Sequence, residues 1–234
     1  MSEQKTIGVI GGTSWHSSAT YYRHLNEIAH ERLGRKHSAR VLLDSIDFDE
    51  IDRLQVQARW NDVGAILAWH ASRLEDAGAD LVLVAANAMH TAADAIESAI
   101  TVPFIHIADA IAHECRVMEY EKVGLIGTRY TMSMSFLVDA LRDRGITAIQ
   151  APQTEHAEID RVIYDELTHG IFRDTAEHLL TSVTEDLVTK GSEAVVLACS
   201  ELAALAARMD VTSAAYIDTA YAHCRMAIDR SLSD

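Results

Sequence analysis

The stretch that decides the fold reads Ala79-Asp80-Leu81-Val82-Leu83-Val84-Ala85-Ala86-Asn87-Ala88-Met89-His90. A near-match to it further along the chain reads Ser192-Glu193-Ala194-Val195-Val196-Leu197-Ala198-Cys199-Ser200-Glu201. Each is a short apolar run that ends in small residues. Such a run is typical of a strand covered on both faces, as the strands of parallel sheets are.

A second pair of segments repeats at almost the same spacing. The first reads Ile7-Gly8-Val9-Ile10-Gly11, and 116 positions later the second reads Val123-Gly124-Leu125-Ile126-Gly127. In the first pair, Cys199 lies 113 positions after Ala86. We therefore predict two related α/β lobes that face each other across a cleft, with equivalent strand ends on its two walls. One end has a thiol, at Cys199, whereas the other, at Ala86, has nothing reactive.

Strand and helix patterns alternate along the chain. Apolar runs too short for helices predict strands at residues 6–10, 41–43, 81–86, 123–126 and 194–198. Apolar residues spaced three and four apart, each series ending before a glycine, predict helices at residues 60–77 and 131–144. The alternation predicts the α/β class, with a mainly parallel sheet flanked by helices in each pseudo-symmetric lobe and the active site in the cleft between them.

The lobes are predicted to pack tightly together. The chain has two prolines and no Ser/Gly linker, so nothing marks a flexible joint. We place the boundaries near Pro103 and Tyr216, because a last strand and helix at residues 214–231 are expected to return to the first lobe. The first lobe is thus predicted to hold residues 1–103 and 216–234, and the second lobe residues 104–215.

Composition and charge limit the classes of partner. The 234 residues have a formal net charge of −15 and a pI near 5.1, which disfavours binding to nucleic acid or to an anionic membrane. Small molecules are the expected partners. The chain opens with no basic leader followed by an apolar run and has no apolar stretch of about 18 residues, so we expect a cytoplasmic protein.

Cysteine and histidine spacing predicts neither a disulfide framework nor a metal site. The three cysteines have no C-x-x-C spacing, and the 12 histidines form no H-E-x-x-H motif. Cys115 and Cys224 lie in helical patterns, where a buried and inert thiol is expected.

Two glycine-containing turns follow predicted strands and precede helices. Gly11-Gly12-Thr13-Ser14 lacks both G-x-G-x-x-G spacing and a Walker lysine, so a nucleotide site is not expected there. We expect instead a tight turn that brings backbone N–H groups to a small anion. The turn Gly127-Thr128-Arg129-Tyr130-Thr131 occupies the equivalent place in the second lobe. Two such turns would suit a substrate that bears a carboxylate.

Cys199 differs from the other thiols because it ends a buried strand just before a predicted helix. The helix N-terminus and free backbone N–H groups are expected to stabilise its thiolate, and the alternative is a packed structural cysteine. Glu201 lies in the first turn of that helix, where an acid is often only a dipole partner or cap. In the first lobe, Asn87 could bind a substrate carboxylate or act as an Asx cap on a helix at residues 89–98.

At this point the residues resemble those of the aspartate/glutamate racemase family, the cofactor-independent, two-cysteine amino-acid racemases. The resemblance is closest to the branch that prefers L-aspartate and L-glutamate, and it runs over essentially the whole chain. The segments that carry it are IGVIGGTSW at residues 7–15, HSARVLL at 37–43, NAMHTAADAIE at 87–97, GTRYTM at 127–132 and ACSE at 198–201. The resemblance implies that the chain needs no cofactor, takes a small carboxylate substrate and forms a homodimer.

In that family each lobe contributes one residue at a strand tip, usually in Cys-Asn-Thr and Cys-Thr-Glu; one thiolate takes the α-proton and the opposite thiol returns one to the other face. The resemblance places the second base at Cys199, the missing first base at Ala86, and the carboxylate-holding threonine at Ala88, which can offer only its backbone. The turns predict substrate contacts at Ser14 and Thr131. The resemblance adds contacts at Gln55, Asn87, Ala88, Met89, Thr168, Ser200 and Glu201.

Ala86 is the main departure from the family pattern, because a methyl group neither accepts nor delivers a proton. Alanine could replace a natural base in an inactivated variant, another group or water could act on that face, or the reaction could need only one proton donor. The predicted function is a racemase-family isomerase that acts at the α-carbon of aspartate or glutamate with Cys199 as thiol acid/base. The alternatives are a one-cysteine decarboxylase of a malonate-type acid and a non-catalytic binder of acidic amino acids.

Overall fold

The computed structural model describes residues 4–209 and 213–233. The chain divides into two compact units. Unit 1 comprises Met1–Ile107 and His223–Asp234, and unit 2 comprises Ala108–Ala222. Each unit contains one parallel β-sheet flanked by helices, so the predicted α/β class is confirmed.

Unit 1 has a three-stranded parallel sheet with the strand order β2-β1-β3. A 3₁₀ helix at Ala88–Ala92 follows the third strand. The elements are β1 Ile7–Gly11, α1 Trp15–Leu33, β2 Val41–Ser45, α2 Phe48–Val56, α3 Trp60–Asp76, β3 Leu81–Val84 and α4 Ala93–Ala99.

Unit 2 has a four-stranded parallel sheet with the order β5-β4-β6-β7. Helix α5 begins at the last residue of unit 1, and α11 continues into unit 1 from His223 onward. The elements are α5 Ile107–Val117, β4 Lys122–Gly127, α6 Arg129–Ser133, α7 Phe136–Arg142, β5 Thr147–Gln150, α8 His156–Arg161, α9 Asp174–Thr189, β6 Ala194–Ala198, α10 Ser200–Ala206, β7 Ala215–Asp218 and α11 Thr219–Ser231. Short 3₁₀ turns at Gln153–Glu155 and Leu167–His169 and a π-helix at Val162–Glu166 complete the unit.

The repeat seen in the sequence is also a repeat of strand register. In unit 1, Ile7 of β1 pairs with Leu81 of β3. In unit 2, Val123 of β4 pairs with Ala194 of β6, and both residues stand at the positions that the two sequence offsets of 116 and 113 predict. The segments that match in sequence therefore occupy matching places in the two sheets.

Edge strands depart from the expectation of burial on both faces. In β2, which was predicted to be covered on both faces, Leu43 is 46% exposed. Strand β5 was not predicted, and none of its four residues is fully buried. Both strands lie at a sheet edge, where one side of the strand lacks a neighbour, so their sequences lack a long apolar run.

The helix predicted at residues 131–144 is wrong as a single element. It is divided into α6 and α7, because Met134 adopts an extended backbone with φ −98° and ψ 148°. The Ser133 hydroxyl donates a hydrogen bond to the Arg129 carbonyl, the kind of local bond that competes with helix continuation. The helix predicted at residues 89–98 likewise begins as a 3₁₀ turn and becomes α-helical only at Ala93.

The last strand does not return to the first lobe as expected. Strand β7 pairs in parallel with β6, with Ala194 opposite Ala215, so it belongs to the sheet of unit 2. At the other junction, Phe104 forms a parallel bridge with Val82 of β3, which keeps the chain in unit 1 beyond Pro103. Backbone pairing decides both points, and the apolar pattern of the segments does not reveal which sheet they join.

Each unit has its own apolar core on its sheet. In unit 1, α3 and α4 cover the sheet with side chains such as Leu67 and Ile96, both fully buried. In unit 2, α9 and α10 contribute Leu187 and Leu205 to a separate cluster. Within residues 4–209 and 213–233, no helix combines the length and apolar character needed to cross a membrane.

Candidate active site

Cys199 lies where β6 ends and α10 begins. It has the extended backbone of a helix N-cap residue, with φ −159° and ψ 128°, and it is 8% exposed. All five residues of β6 are apolar and buried, and helix α10 begins directly after Cys199. The sequence thus places a single thiol at the carboxyl end of a central strand, where open α/β sheets bind their ligands.

The Cys199 thiol is hydrogen-bonded to a carboxylate. Its Sγ donates to Oε2 of Glu201 at 3.0 Å, and the Ser200 hydroxyl donates to the same oxygen at 2.8 Å. The predicted site residues Ser200 and Glu201 are therefore brought together with Cys199. In this structure Glu201 accepts hydrogen bonds from both the thiol and the Ser200 hydroxyl.

The electrostatic environment favours the thiol over the thiolate. Burial raises the pKa of Cys199 well above its ordinary value, and the negative charge of Glu201 and its hydrogen bond raise it further. Backbone N–H groups of Glu201 and Leu202 lower the pKa, as the helix position predicted, but they do not reverse the direction. The expected stabilisation of the thiolate by the helix N-terminus is present, but burial and Glu201 outweigh it, so the pKa of Cys199 is raised.

The turn after β4 lies beside Cys199. Gly127 pairs in parallel with Ala198, so the residues that follow them, Thr128 and Cys199, begin neighbouring turns at the same sheet edge. Thr131 is 1% exposed, and its Oγ1 is 3.4 Å from Oγ1 of Thr128. The predicted substrate residue Thr131 and Cys199 therefore lie at the same edge of one sheet.

Thr168 lies in the 3₁₀ turn that follows the π-helix of unit 2. Its Oγ1 donates to the Tyr164 carbonyl at 2.7 Å, which fixes the side chain. The same turn contacts α10, and its Leu167 shares an apolar cluster with Leu202 and Leu205. Irregular helical turns of this kind are frequent at functional sites. The turn that contains Thr168 thus packs against α10 through Leu167.

In unit 1, the strand end at Ala86 is held by a buried histidine. Nδ1 of His90 lies 3.0 Å from the Ala86 carbonyl and 3.2 Å from the Asn87 carbonyl, and both oxygens accept from a protonated Nδ1. His90 is 3% exposed, and burial, with the nearby His106 and His223, holds its pKa well below the ordinary value. His90 is not among the predicted site residues, although a histidine four positions after the strand end was a usable signal.

The three residues after Ala86 differ in what they can offer a ligand. Asn87 makes no capping hydrogen bond with its side chain, so the Asx-cap interpretation is wrong. Met89 is 2% exposed, and its side chain packs in the apolar core of unit 1. Ala88 is partly buried and has only its backbone to offer. Asn87 stays the predicted side-chain contact of this segment.

The turn after β1 uses N–H groups within the protein. Gly12 has a φ of 89°, and a Cβ there would clash with the backbone of Ile46, so the turn requires glycine. Its N–H donates to Oγ of Ser18 at 2.8 Å, and Oγ of Ser14 accepts from the Ser17 N–H at 3.2 Å as the N-cap of α1. The Gly12 N–H is thus not open to an anion as expected, and Ser14 has a capping role besides its predicted contact.

Gln55 is the remaining predicted contact. It lies near the end of α2 and is 5% exposed. The structure therefore groups the predicted residues in two sets. One set is in unit 1, with Ser14, Gln55, Ala86, Asn87, Ala88 and Met89, and the other is in unit 2, with Thr131, Thr168, Cys199, Ser200 and Glu201.

Comparison with known proteins identifies the family and the fold of the chain. Residues 10–227 match the model of the Asp/Glu/Hydantoin racemase family. A candidate Asp/Glu racemase from Yersinia pestis is 36% identical, with a TM-score of 0.90 over 98% of this chain and 100% of that chain. An aspartate racemase homologue from Pyrococcus horikoshii OT3 is 32% identical, with a TM-score of 0.86 over 98% of this chain and 100% of that chain. The aspartate racemase of Picrophilus torridus, at 18% identity, has the same fold, with a TM-score of 0.69 over 97% and 94% of the two chains.

Proposed function

The chain belongs to the Asp/Glu/Hydantoin racemase family, and on that premise we propose that it is an enzyme acting at the α-carbon of aspartate or glutamate. In this proposal Cys199 is the thiol acid/base and no cofactor takes part. The observation that carries it is the thiol itself. Cys199 lies at the end of a central strand, hydrogen-bonded to a carboxylate, in the register position that the internal repeat pairs with Ala86.

Removal of an α-proton needs a base and a means of stabilising the enediolate that forms. Cys199 in its thiolate form would supply the base. The first turn of α10 directs the N–H groups of Glu201 and Leu202 at the thiol position, and N–H groups of this kind also stabilise developing negative charge. Thr131, at the same sheet edge, is the proposed hydroxyl partner of a substrate carboxylate.

Ala86 makes the proposed chemistry one-sided. A racemase of the two-base type needs a proton donor on each face of the carbanion, and alanine at the first position supplies none. We therefore expect the protein to exchange the α-hydrogen of one enantiomer with solvent faster than it interconverts the enantiomers. Equal rates of exchange and inversion would contradict a one-base reaction.

A second candidate is the decarboxylation of a malonate-type acid, and the buried position of the Cys199 thiol beside Glu201 favours it. In that reaction the bond from the α-carbon to one carboxylate breaks, carbon dioxide leaves, and the electron pair stays on the α-carbon. The thiol then donates its proton to that carbon. Only a proton donor is required, and burial together with Glu201 raises the pKa of Cys199, which favours the thiol form.

One experiment separates these functions. The protein is incubated with L- and D-amino acids and with substituted malonates in deuterated buffer, and the products are followed by proton NMR. Deuterium at the α-carbon of aspartate or glutamate supports the amino-acid enzyme, and loss of carbon dioxide from a malonate supports the decarboxylase. Binding of an acidic amino acid with no exchange would show a non-catalytic binder and overturn both.

We propose further that the chain forms a homodimer, as the resemblance implies, and that it works in the cytoplasm. Light scattering on the purified protein tests the dimer, since a mass of about one chain, 25.7 kDa, would contradict it. Cell fractionation tests the location.

A further inference from the structure

We propose that His90 is a positioning residue for the candidate site in unit 1. Through hydrogen bonds to the carbonyls of Ala86 and Asn87, it holds the backbone of residues 86–88 in the orientation in which this segment meets a substrate. The contact with a substrate rests on the proposed function. The hydrogen bonds of His90 do not rest on it, because they lie within unit 1 itself.

One imidazole nitrogen binds both carbonyls. Nδ1 of His90 lies 3.0 Å from the Ala86 oxygen and 3.2 Å from the Asn87 oxygen. A carbonyl oxygen only accepts, so the hydrogen of the neutral ring is on Nδ1. Nε2 is buried and has no hydrogen-bond partner among the described residues, which suits the nitrogen without a hydrogen better than it suits a donor.

Neighbouring rings fix the imidazole in this orientation. The ring centroids of Phe104, His106 and His223 lie 5.6, 4.8 and 5.5 Å from that of His90, which is 3% exposed. His223 is itself fixed by a hydrogen bond at each ring nitrogen. Burial and the two neighbouring histidines lower the pKa of His90, which favours the neutral ring with a single hydrogen.

The bound carbonyls set the direction of the N–H groups that follow them. In a planar trans peptide the C=O and the N–H point in opposite directions, and all peptide bonds of the described residues are trans. The N–H groups of Asn87 and Ala88 therefore point away from the imidazole that binds the carbonyls of Ala86 and Asn87. The preceding carbonyl, of Ala85, accepts from the Ser17 hydroxyl at 2.8 Å. Three consecutive carbonyls are thus bound by side chains of unit 1.

A histidine at this place is a costly way to fill an apolar core. Burial of a polar atom without a hydrogen-bond partner costs free energy, and Nε2 of His90 is such an atom. Met89, the preceding residue, fills the core of unit 1 without that cost. An incompletely bonded polar group in a core is more typical of functional sites than of purely structural ones. This balance favours a role in directing the two carbonyls over a role in packing.

The first test is made on the unchanged protein. Ring ¹H–¹⁵N NMR spectra of the ¹⁵N-labelled protein show which nitrogen of His90 has the hydrogen. We expect it on Nδ1, since only a protonated Nδ1 can donate to the carbonyls. A hydrogen on Nε2 alone would overturn the inference. This measurement needs no variant, so it holds even where a substitution at position 90 prevents folding.

The second test compares three variants that keep or remove the donor. His90→Asn has an amide nitrogen close to the place of Nδ1, His90→Gln has one close to the place of Nε2, and His90→Leu has no donor. In the glutamine and leucine variants we expect the backbone amide signals of Asn87 and Ala88 to shift. We also expect kcat/KM for α-deuterium exchange to fall about 10-fold, as for the loss of one hydrogen bond to the substrate. The asparagine variant should recover both.

His70→Leu is the matched control for a loss of stability. His70 is another buried histidine of unit 1, 8% exposed, and its Nδ1 lies 2.6 Å from Oδ2 of Asp44. Its removal should lower the free energy of unfolding, as the removal of His90 does. It should leave kcat/KM and the amide signals of Asn87 and Ala88 as they are in the unchanged protein.

Two outcomes in the variants would overturn the inference. Equal losses of kcat/KM in the asparagine, glutamine and leucine variants would show that the ring acts by packing. An equal loss in His70→Leu would show that activity follows stability alone. Failure of the proposed function has a different signature. In that case no variant exchanges the α-hydrogen of any substrate, while the amide signals of Asn87 and Ala88 still shift in His90→Gln and His90→Leu and recover in His90→Asn.

Discussion

The strand end of unit 1 at Ala86 and the strand end of unit 2 at Cys199 hold the same place in their sheets. Val84 pairs with Ile10 in the first sheet, and Leu197 pairs with Ile126 in the second. Ala86 lies two residues after Val84, just as Cys199 lies two residues after Leu197. Their chemistry is different. The end at Ala86 has a methyl group, and the end at Cys199 has a thiol that is hydrogen-bonded to the carboxylate of Glu201.

The turns that follow the two strand ends also differ. In unit 2, α10 begins directly after Cys199, so helix N–H groups and Glu201 both act on the thiol. In unit 1, a 3₁₀ turn intervenes, and the buried His90 binds the carbonyl of Ala86. Equal register thus gives the two strand ends equivalent backbone positions, while the residues of the following turn give each end its own chemical groups.

The largest expected effect is the loss of the thiol from the unit 2 end. Cys199→Ser keeps the shape of the side chain but makes it a much weaker acid, so turnover of the substrate found by the NMR panel should fall by about 10²-fold or more. Cys115→Ala is the matched control, because burial raises the pKa of Cys115 to about 11 and it has no proposed role. Full activity in the serine variant would show that Cys199 is not the acid/base.

The second prediction restores chemistry to the unit 1 end. Ala86→Cys adds one heavy atom at a partly buried position, so overpacking should cost about 1–3 kcal/mol at most. We expect this variant to racemise aspartate or glutamate faster than the unchanged protein, measured by chiral chromatography. Ala86→Ser serves as the size-matched control, since its hydroxyl is a poor acid. A folded cysteine variant that racemises no acidic amino acid would favour the decarboxylase or the binder.

The third prediction concerns the histidine that supports the unit 1 end. The pKa of His90 is lowered in the folded protein, so the unfolded chain binds a proton more readily below the ordinary histidine pKa of about 6.5. The contribution of His90 to the free energy of unfolding should therefore be fully present above that pH. It should decrease as the pH falls below it, by up to about 1.4 kcal/mol per pH unit for this one group. Urea unfolding between neutral and mildly acidic pH measures the slope.

His90→Asn isolates the contribution of this group. Its amide can still donate to the Ala86 carbonyl, but it does not titrate, so the stability of the variant should depend less on pH. His37→Asn is the control, because His37 is exposed. An equal slope in the unchanged protein and in His90→Asn would show that other groups govern acid stability.

The smallest expected effect comes from the residue two positions after Ala86. Ala88→Thr, added to Ala86→Cys, restores the hydroxyl that the family resemblance assigns to this position. One additional hydrogen bond should tighten substrate binding by about 0.5–1.5 kcal/mol. Calorimetric titration of the single and double variants measures the difference, and Ala88→Val is the control that adds similar bulk without a hydroxyl. Equal gains from threonine and valine would point to packing.

The sequence was sufficient for four of the strands and for their repeat. Strands β1, β3, β4 and β6 are covered on both faces, so their apolar runs are continuous and can be recognised locally. The resemblance drawn from segments spread along the chain was confirmed at the level of the family. The position of Cys199 at a strand end followed from the same runs, because the end of a run marks the end of a strand.

Only the tertiary structure decided which sheet β7 joins and which protonation state Cys199 prefers. Strand β7 is paired through backbone groups, which every residue has, so its side chains do not encode the partner. The pKa of Cys199 depends on burial and on Glu201, which raise it, and on helix N–H groups, which lower it. The effect of the helix N–H groups can be predicted from the sequence, because the predicted helix begins directly after Cys199. The opposing effects depend on packing and on one side-chain rotamer, and these exist only once the chain is folded.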